Sequence, residues 1–266
     1  RMDDKALTSW NGLMLKGYVD AYRVLQNETY LETAEKNAGF ILSNILRRDG
    51  GLNHTFKEGK SKINGYLEDY ATVIDAFIGL YEATLNEKWL NTAQDLANYT
   101  FKHFYDEESK LFFFTSDEDT SLVSRNIIYH DNVIPASNSI MAKNLFKLSH
   151  YFENKKFAKS AMTMLNNVKP EMQNYPSGYS NWFDLMLNYA QPYYEVAILG
   201  TNAKQKIDEL NRTYIPNKLT AGSILENDMP LLENRYNPNR TLIYVCVNRA
   251  CKLPVSKVED AIKFIK

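Results

Sequence analysis

A chain of 266 residues, 44% hydrophobic and 24% charged, is long enough to bury a substantial core and has the composition of an ordinary soluble globular protein. Its formal net charge of −1 leaves no basic footprint for nucleic acid or an anionic membrane surface, and no apolar run approaches the roughly 18 residues that a transmembrane helix needs. Two cysteines, Cys246 and Cys251, cannot form a disulfide scaffold for a domain of this size, and the first residues carry no secretory signal, so a reducing cytoplasm is the expected compartment.

From the N-terminus, Leu7, Trp10, Leu13, Met14, Gly17, Tyr18, Ala21 and Leu25 recur at spacings of three and four, which predicts a helix buried through that face. Asn27-Glu28-Thr29 breaks it. Thr29 with Glu32 reads as a capping box for a second helix, whose apolar face is Leu31, Ala34, Ala38, Ile41, Leu42 and Ile45. Asp49-Gly50-Gly51 then makes a turn, and the pattern restarts. Leu67, Tyr70, Val73, Ile74, Phe77, Leu80 and Tyr81 form one face, and Asn86 caps a partner carrying Trp89, Leu90, Ala93, Ala97, Phe101 and Phe104. The segment Tyr30-Leu31-Glu32-Thr33-Ala34 matches Trp89-Leu90-Asn91-Thr92-Ala93, so these hairpins are an internal repeat. A third hairpin carries Met141, Leu145, Leu148 and Phe152, then Phe157, Ala161, Met164 and Leu165. A fourth begins at Ser180 and is stopped by Pro192.

Beyond Pro192 the period changes. Residues 194–200, 219–225 and 241–247 read as strands, while 203–213 and 258–265 read as helices. The expected fold is mainly α: an incomplete (α/α)6-type toroid of helical hairpins over residues 1–191, followed by a small α/β tail over 192–266.

Polar clusters mark the start of the first helix in each hairpin: Thr8-Ser9-Trp10-Asn11, Glu68-Asp69-Tyr70, Ser137-Asn138-Ser139 and Ser180-Asn181-Trp182. In an array of hairpins they converge on one rim, where free backbone N–H groups suit anionic or hydroxyl-rich ligands. The same residue types are favoured helix caps without any function. Glu68 and Asp69 are the candidate acid/base carboxyls, with Asp131 as a distant second and Arg125 as a binder of carboxylate or hydroxyl groups. Neighbours on a helix point about 100° apart, so one of Glu68 and Asp69 faces the rim while the other caps or pairs. Ser9, Trp10, Asn11, Tyr70, Ser137, Asn138, Asn181 and Trp182 complete the candidate sugar-binding set. His54, His103, His130 and His150 show no metal-ligand spacing, so no metal or other cofactor is expected; His54 and His130 read as exposed loop histidines within reach of the rim. Cys246 and Cys251 read as a buried strand thiol and a turn thiol.

Asp4-Lys5-Ala6-Leu7-Thr8-Ser9-Trp10-Asn11-Gly12-Leu13-Met14, Gly65-Tyr66-Leu67-Glu68-Asp69-Tyr70-Ala71, Pro135-Ala136-Ser137-Asn138-Ser139, Tyr194 to Gly200 and Val245 to Pro254 resemble motifs of the thioredoxin-domain-containing proteins related to spermatogenesis-associated protein 20. The resemblance implies a six-hairpin glycosidase-type barrel similar to N-acylglucosamine 2-epimerases. In a full-length protein, a thioredoxin-like domain and further hairpins would precede the present chain. The resemblance leaves the reaction open. One reading is a carbohydrate-active enzyme of glycoside hydrolase or sugar epimerase type; the other is a non-catalytic module binding a glycan or a protein through the same rim. An incomplete array would also expose a flank of the first hairpin, including Met14 and Tyr18, and so favour self-association.

Overall fold

The computed structural model describes residues 4–119 and 124–265. Seven helices form the array: α1 (Thr8–Leu25), α2 (Glu28–Phe40, extended by a π-helical turn at Ile41–Ile45), α3 (Leu67–Thr84), α4 (Glu87–His103), α5 (Ser137–Phe152), α6 (Lys155–Met172) and α7 (Ser180–Ala190). Helices α1, α3, α5 and α7 pack side by side as an inner row, while α2, α4 and α6 each back onto the inner helix before them. This is part of an α/α toroid. Helix α3, with neighbours on both sides, is buried around almost its whole circumference, as its sequence of Ala, Ile, Phe, Gly and Leu allows.

The hairpin turns repeat one device. Helices α1, α3 and α5 each end in a left-handed non-glycine residue (Gln26, Leu85, Glu153), and the next residue is an asparagine that caps the outer helix. Asn27, Asn86 and Asn154 accept from the N–H groups of Thr29, Lys88 and Phe157 at 3.0, 3.1 and 3.1 Å. The cap of α2 is therefore Asn27, and Thr29 lies inside the helix.

The buried face of α1 also differs from the expected one. Thr8, Ser9, Gly12, Leu15, Val19 and Tyr22 pack inward, while Trp10 is 68% and Met14 59% exposed, together with Leu13, Val24 and Leu25. The cause is close packing against α3: a Cβ on Gly12 would lie 2.8 Å from Thr72 Oγ1 and 2.9 Å from its carbonyl carbon. Small residues face the neighbour, so the larger apolar ones stand on the open flank. Tyr18 remains half-buried there.

Between α2 and α3 an antiparallel hairpin, β2 (Asn53–Lys57) and β3 (Lys60–Asn64), joins the short β1 (Ala6–Leu7) in the order β1-β2-β3. Glu58 and Gly59 both take positive φ, which gives the two-residue turn that matches strand twist.

After α7 come β4 (Tyr194–Leu199), α8 (Ala203–Asn211), β5 (Lys218–Ser223), β6 (Leu242–Val247), β7 (Ala250–Cys251) and α9 (Val258–Ile262). The sheet order is β5-β4-β6-β7, with β4 and β5 parallel and the other pairs antiparallel. Alternation along β4 splits its side chains: Ala197 and Leu199 join the core of the helical array, while Val196 and Ile198 pack with α8 and α9. Cys246 stands opposite Cys251 across the β6–β7 ladder, and the two form a disulfide, which replaces the expected pair of thiols. Among the described residues no helix is long and apolar enough to cross a membrane.

Candidate functional site

The four polar clusters lie at the N-terminal ends of the four inner helices, on one rim. Asp69, in the first turn of α3, is fully buried. Its Oδ1 accepts the Ser9 N–H at 2.8 Å, and its Oδ2 accepts the Tyr66 N–H at 2.8 Å and faces His54 Nδ1 at 2.9 Å. One carboxylate thus caps α3, fixes the start of α1 and holds the β2–β3 hairpin. His54 sits on β2, not in an exposed loop, with its ring 4.6 Å from that of Tyr66, which stacks on Phe114.

Glu68 is the free member of the pair. It is half-buried, and among the described residues the one hydrogen-bond partner of its carboxyl is the Ser9 hydroxyl at 3.5 Å. Burial, reinforced by the neighbouring Asp69 charge, pushes the Glu68 carboxyl above its ordinary range. Burial likewise raises Asp69, opposed by His54 and by the backbone N–H groups of Tyr66 and Ser9. The hydrogen bond to Asp69 raises His54 in turn, against the effect of its own burial. Ligand atoms of His54, Glu68 and Asp69 fall within 4.8 Å of one another. A cation would compete there with the donors already on Asp69, so the arrangement suits proton transfer better than coordination. With Nδ1–H directed at Asp69, Nε2 of a neutral His54 is left to accept a proton.

The second cluster is built around Asp131. Its Oδ1 accepts from the Ala136 N–H (2.8 Å) and the Ser139 hydroxyl (2.7 Å), and its Oδ2 from the Asn181 N–H (2.8 Å). Asn181 continues the chain, donating to Ser139 Oγ at 3.0 Å and accepting from Lys143 at 3.0 Å. Asp131 therefore braces α5 against α7, and its described contacts lie on that side of the rim.

Other candidate residues are enclosed by the fold. Asn138 is fully buried, paired with both backbone groups of Phe112 and with the Ile128 carbonyl, so it has no polar atom left for a ligand. The Tyr70 hydroxyl accepts from the Leu52 N–H, and its ring stacks on Tyr99. Trp182 is fully buried with its indole N–H on the Tyr129 carbonyl. Arg125 donates to the carbonyls of Thr115 and His103 and lies over Phe113, so it clamps a loop. The Ser137 hydroxyl is buried without a partner among the described residues. Ser9 is buried, Asn11 donates to the Leu7 carbonyl, and Trp10 projects into solvent. Below the rim, between α1, α3, α5 and α7, a cleft is lined by Leu13, Lys16, Thr72, Asp75, Lys143 and Asn181.

With this geometry in place, comparison with known proteins gives the lineage. Over 96% of its length the chain matches spermatogenesis-associated protein 20 of Rattus norvegicus at 28% identity and that of Homo sapiens at 27%. The chain is a relative of spermatogenesis-associated protein 20. It spans only 35% of the length of those relatives. Residues 8–129, which include the Asp69 cluster, also match the model of glycosyl hydrolase family 76. In fold the chain is similar to the GH76 α-mannanase BT2949 of Bacteroides thetaiotaomicron, with TM-score 0.58 and 16% identity, covering 86% of this chain and 65% of the mannanase. It is similar also to cellobiose 2-epimerase from Bacillus thermoamylovorans B4167, with TM-score 0.52 and 17% identity over 62% of this chain and 44% of the epimerase. Both likenesses concern the fold, the α/α toroid.

Proposed function

We propose that this domain is a carbohydrate-active enzyme of glycoside hydrolase type, with Glu68 as the general acid and His54, held by Asp69, as the proton acceptor. The observation that carries the reading is the difference between two adjacent carboxyls. Asp69 is committed to three donors, while Glu68 is half-buried and almost unpartnered beside it, an environment that raises its carboxyl and favours the protonated form an acid catalyst needs. The match of residues 8–129 to glycosyl hydrolase family 76 supports a sugar substrate.

In this scheme Glu68 delivers its proton to the leaving glycosidic oxygen as the bond to the anomeric carbon breaks. Water adds to that carbon, and His54 Nε2 takes the proton the water loses. Asp69 acts as a positioning residue, setting the imidazole tautomer and steadying the imidazolium. The clamps at Asp131, Asn138 and Trp182 hold the rim in shape.

The test is Glu68→Gln assayed on α-mannosides and on a panel of β-linked disaccharides. Loss of turnover by at least about a hundredfold, with unchanged circular dichroism and melting, is the expected result. Wild-type protein that binds these sugars without cleaving any of them, with binding unaffected by the substitution, would replace the enzyme by a glycan-binding module.

A further inference from the structure

At the opposite end of the inner helices from the rim, two consecutive elements of the tail meet the end of α1. Arg23 lies in the last turn of α1, Asn211 ends α8 and Lys218 opens β5. They border a cleft walled by the 212–216 loop. Arg23 Nη2 and Lys218 Nζ both donate to the same acceptor, Asn211 Oδ1, at 3.3 and 3.4 Å. Asn211 Nδ2 is buried and finds no acceptor among the described residues. Donors therefore outnumber acceptors here.

The neighbouring carboxylates do not close this deficit. Glu82 pairs with Arg23 at 2.9 Å and already accepts from the Tyr151 hydroxyl and the Thr220 N–H. Asp20, half-exposed, lies 4.0 Å from Arg23 but is held more closely by Lys16, and Asp184 is held by Lys143. Lys218 makes no ion pair within 4.0 Å among the described residues, and its bond to Asn211 leaves further N–H donors to place. Burial, helped by the Arg23 guanidinium, pulls its amine down to about 8, so an anion supplied from outside would relieve an unfavourable charge.

We propose that Arg23, Asn211 and Lys218 form an oxyanion-binding site at the junction of the helical array and the sheet, taking the phosphate or carboxylate group of a small ligand. The site needs a convergent guanidinium, amine and amide; all three are present, and the amine and the amide have unused donors. It is independent of the acid/base pair on the rim.

The test is titration of the intact chain with inorganic phosphate, D-glucuronate or glucose at constant ionic strength, followed by backbone amide shifts of residues 211–215, 217 and 218. Saturable shifts with phosphate alone identify a phosphoryl ligand, with glucuronate alone a carboxylate, and with both a general oxyanion site. Each of these supports the proposal. Lys218→Gln should weaken the response at least about tenfold, since a charge-assisted hydrogen bond is lost. Lys218→Arg, which keeps the charge, should bind within about threefold of wild type and guards against a simple folding defect. No saturation by about 50 mM ligand, an equal response to glucose, or unchanged affinity in a folded Lys218→Gln protein overturns the site.

Discussion

Replacing Asp69 by Asn should destabilise a fold that replacing Glu68 by Gln leaves intact, although the residues are adjacent and the chemical change is the same. The Asp69 carboxylate, itself fully buried, receives three N–H donors on two oxygens within 2.9 Å. An Asn side chain has one oxygen, and its NH2 must then face either the Ser9 N–H or the Tyr66 and His54 donors. At least one buried donor is stranded, at about 1–3 kcal/mol, and loss of the helix cap adds about 1 kcal/mol when Tyr66 is the one deserted. Glu68 makes only a 3.5 Å contact and is half-exposed, so its amide should change stability by less than about 0.5 kcal/mol. Its pKa is raised in the folded state, so protonation favours folding and that contribution fades as pH rises through the folded value. At neutral pH the Gln variant is therefore neutral or slightly stabilised. Urea denaturation with a common m-value is the assay. Unfolding free energies for the two variants within about 0.5 kcal/mol of each other would refute the division of roles.

Stability should also respond to His54 in a defined direction. Its folded pKa lies above the ordinary value, so the gain from its protonated pairing with Asp69 is present below about pH 6.5 and lost as pH climbs through the folded value; His54→Gln should flatten that part of a pH–melting curve. Gly12→Ala should cost about 1–3 kcal/mol by forcing α1 from α3, seen as a lower urea midpoint. Glu153→Gly should raise stability by up to about 1 kcal/mol by relieving its left-handed backbone at the expense of an exposed ion pair with Arg249. Replacing both Cys246 and Cys251 by Ala should cost about 2 kcal/mol, measured against the oxidised wild type.

The helices were legible because three-and-four spacing survives wherever one face is buried, and the repeated Asn before each outer helix marks the turns. The burial face of α1 was not legible. Apolar patterning reports which residues are greasy, and here close approach to α3 selects Thr8, Ser9 and Gly12 instead. The hairpin β2–β3 escaped because Asn53 to Asn64 lacks alternating apolar residues, and only the Glu58-Gly59 turn hints at it. At the rim, Glu68 and Asp69 stood out as an acidic pair in a helix start. His54 did not, because its partnership spans fifteen residues and exists only once that hairpin has folded back. The Asn211–Lys218 cluster had no sequence signal, since its third member, Arg23, lies far upstream. The disulfide depended on a strand register that five-residue spacing alone does not specify.

The sheet that follows Pro192 has a consequence for how the molecule falls apart. Glu82 near the end of α3 receives Arg23 of α1, Tyr151 of α5 and the Thr220 N–H of β5, while Ala197, Leu199, Leu219 and Ala221 complete the same core as the inner helices. Removing the tail would take the Thr220 N–H from a buried carboxylate and bare the ends of three helices at once. A change of hydrophobic period near residue 192 thus need not be a seam: the array and the sheet should melt in one cooperative transition, and a fragment ending at residue 191 should behave as a collapsed, dye-binding chain rather than as a smaller native protein.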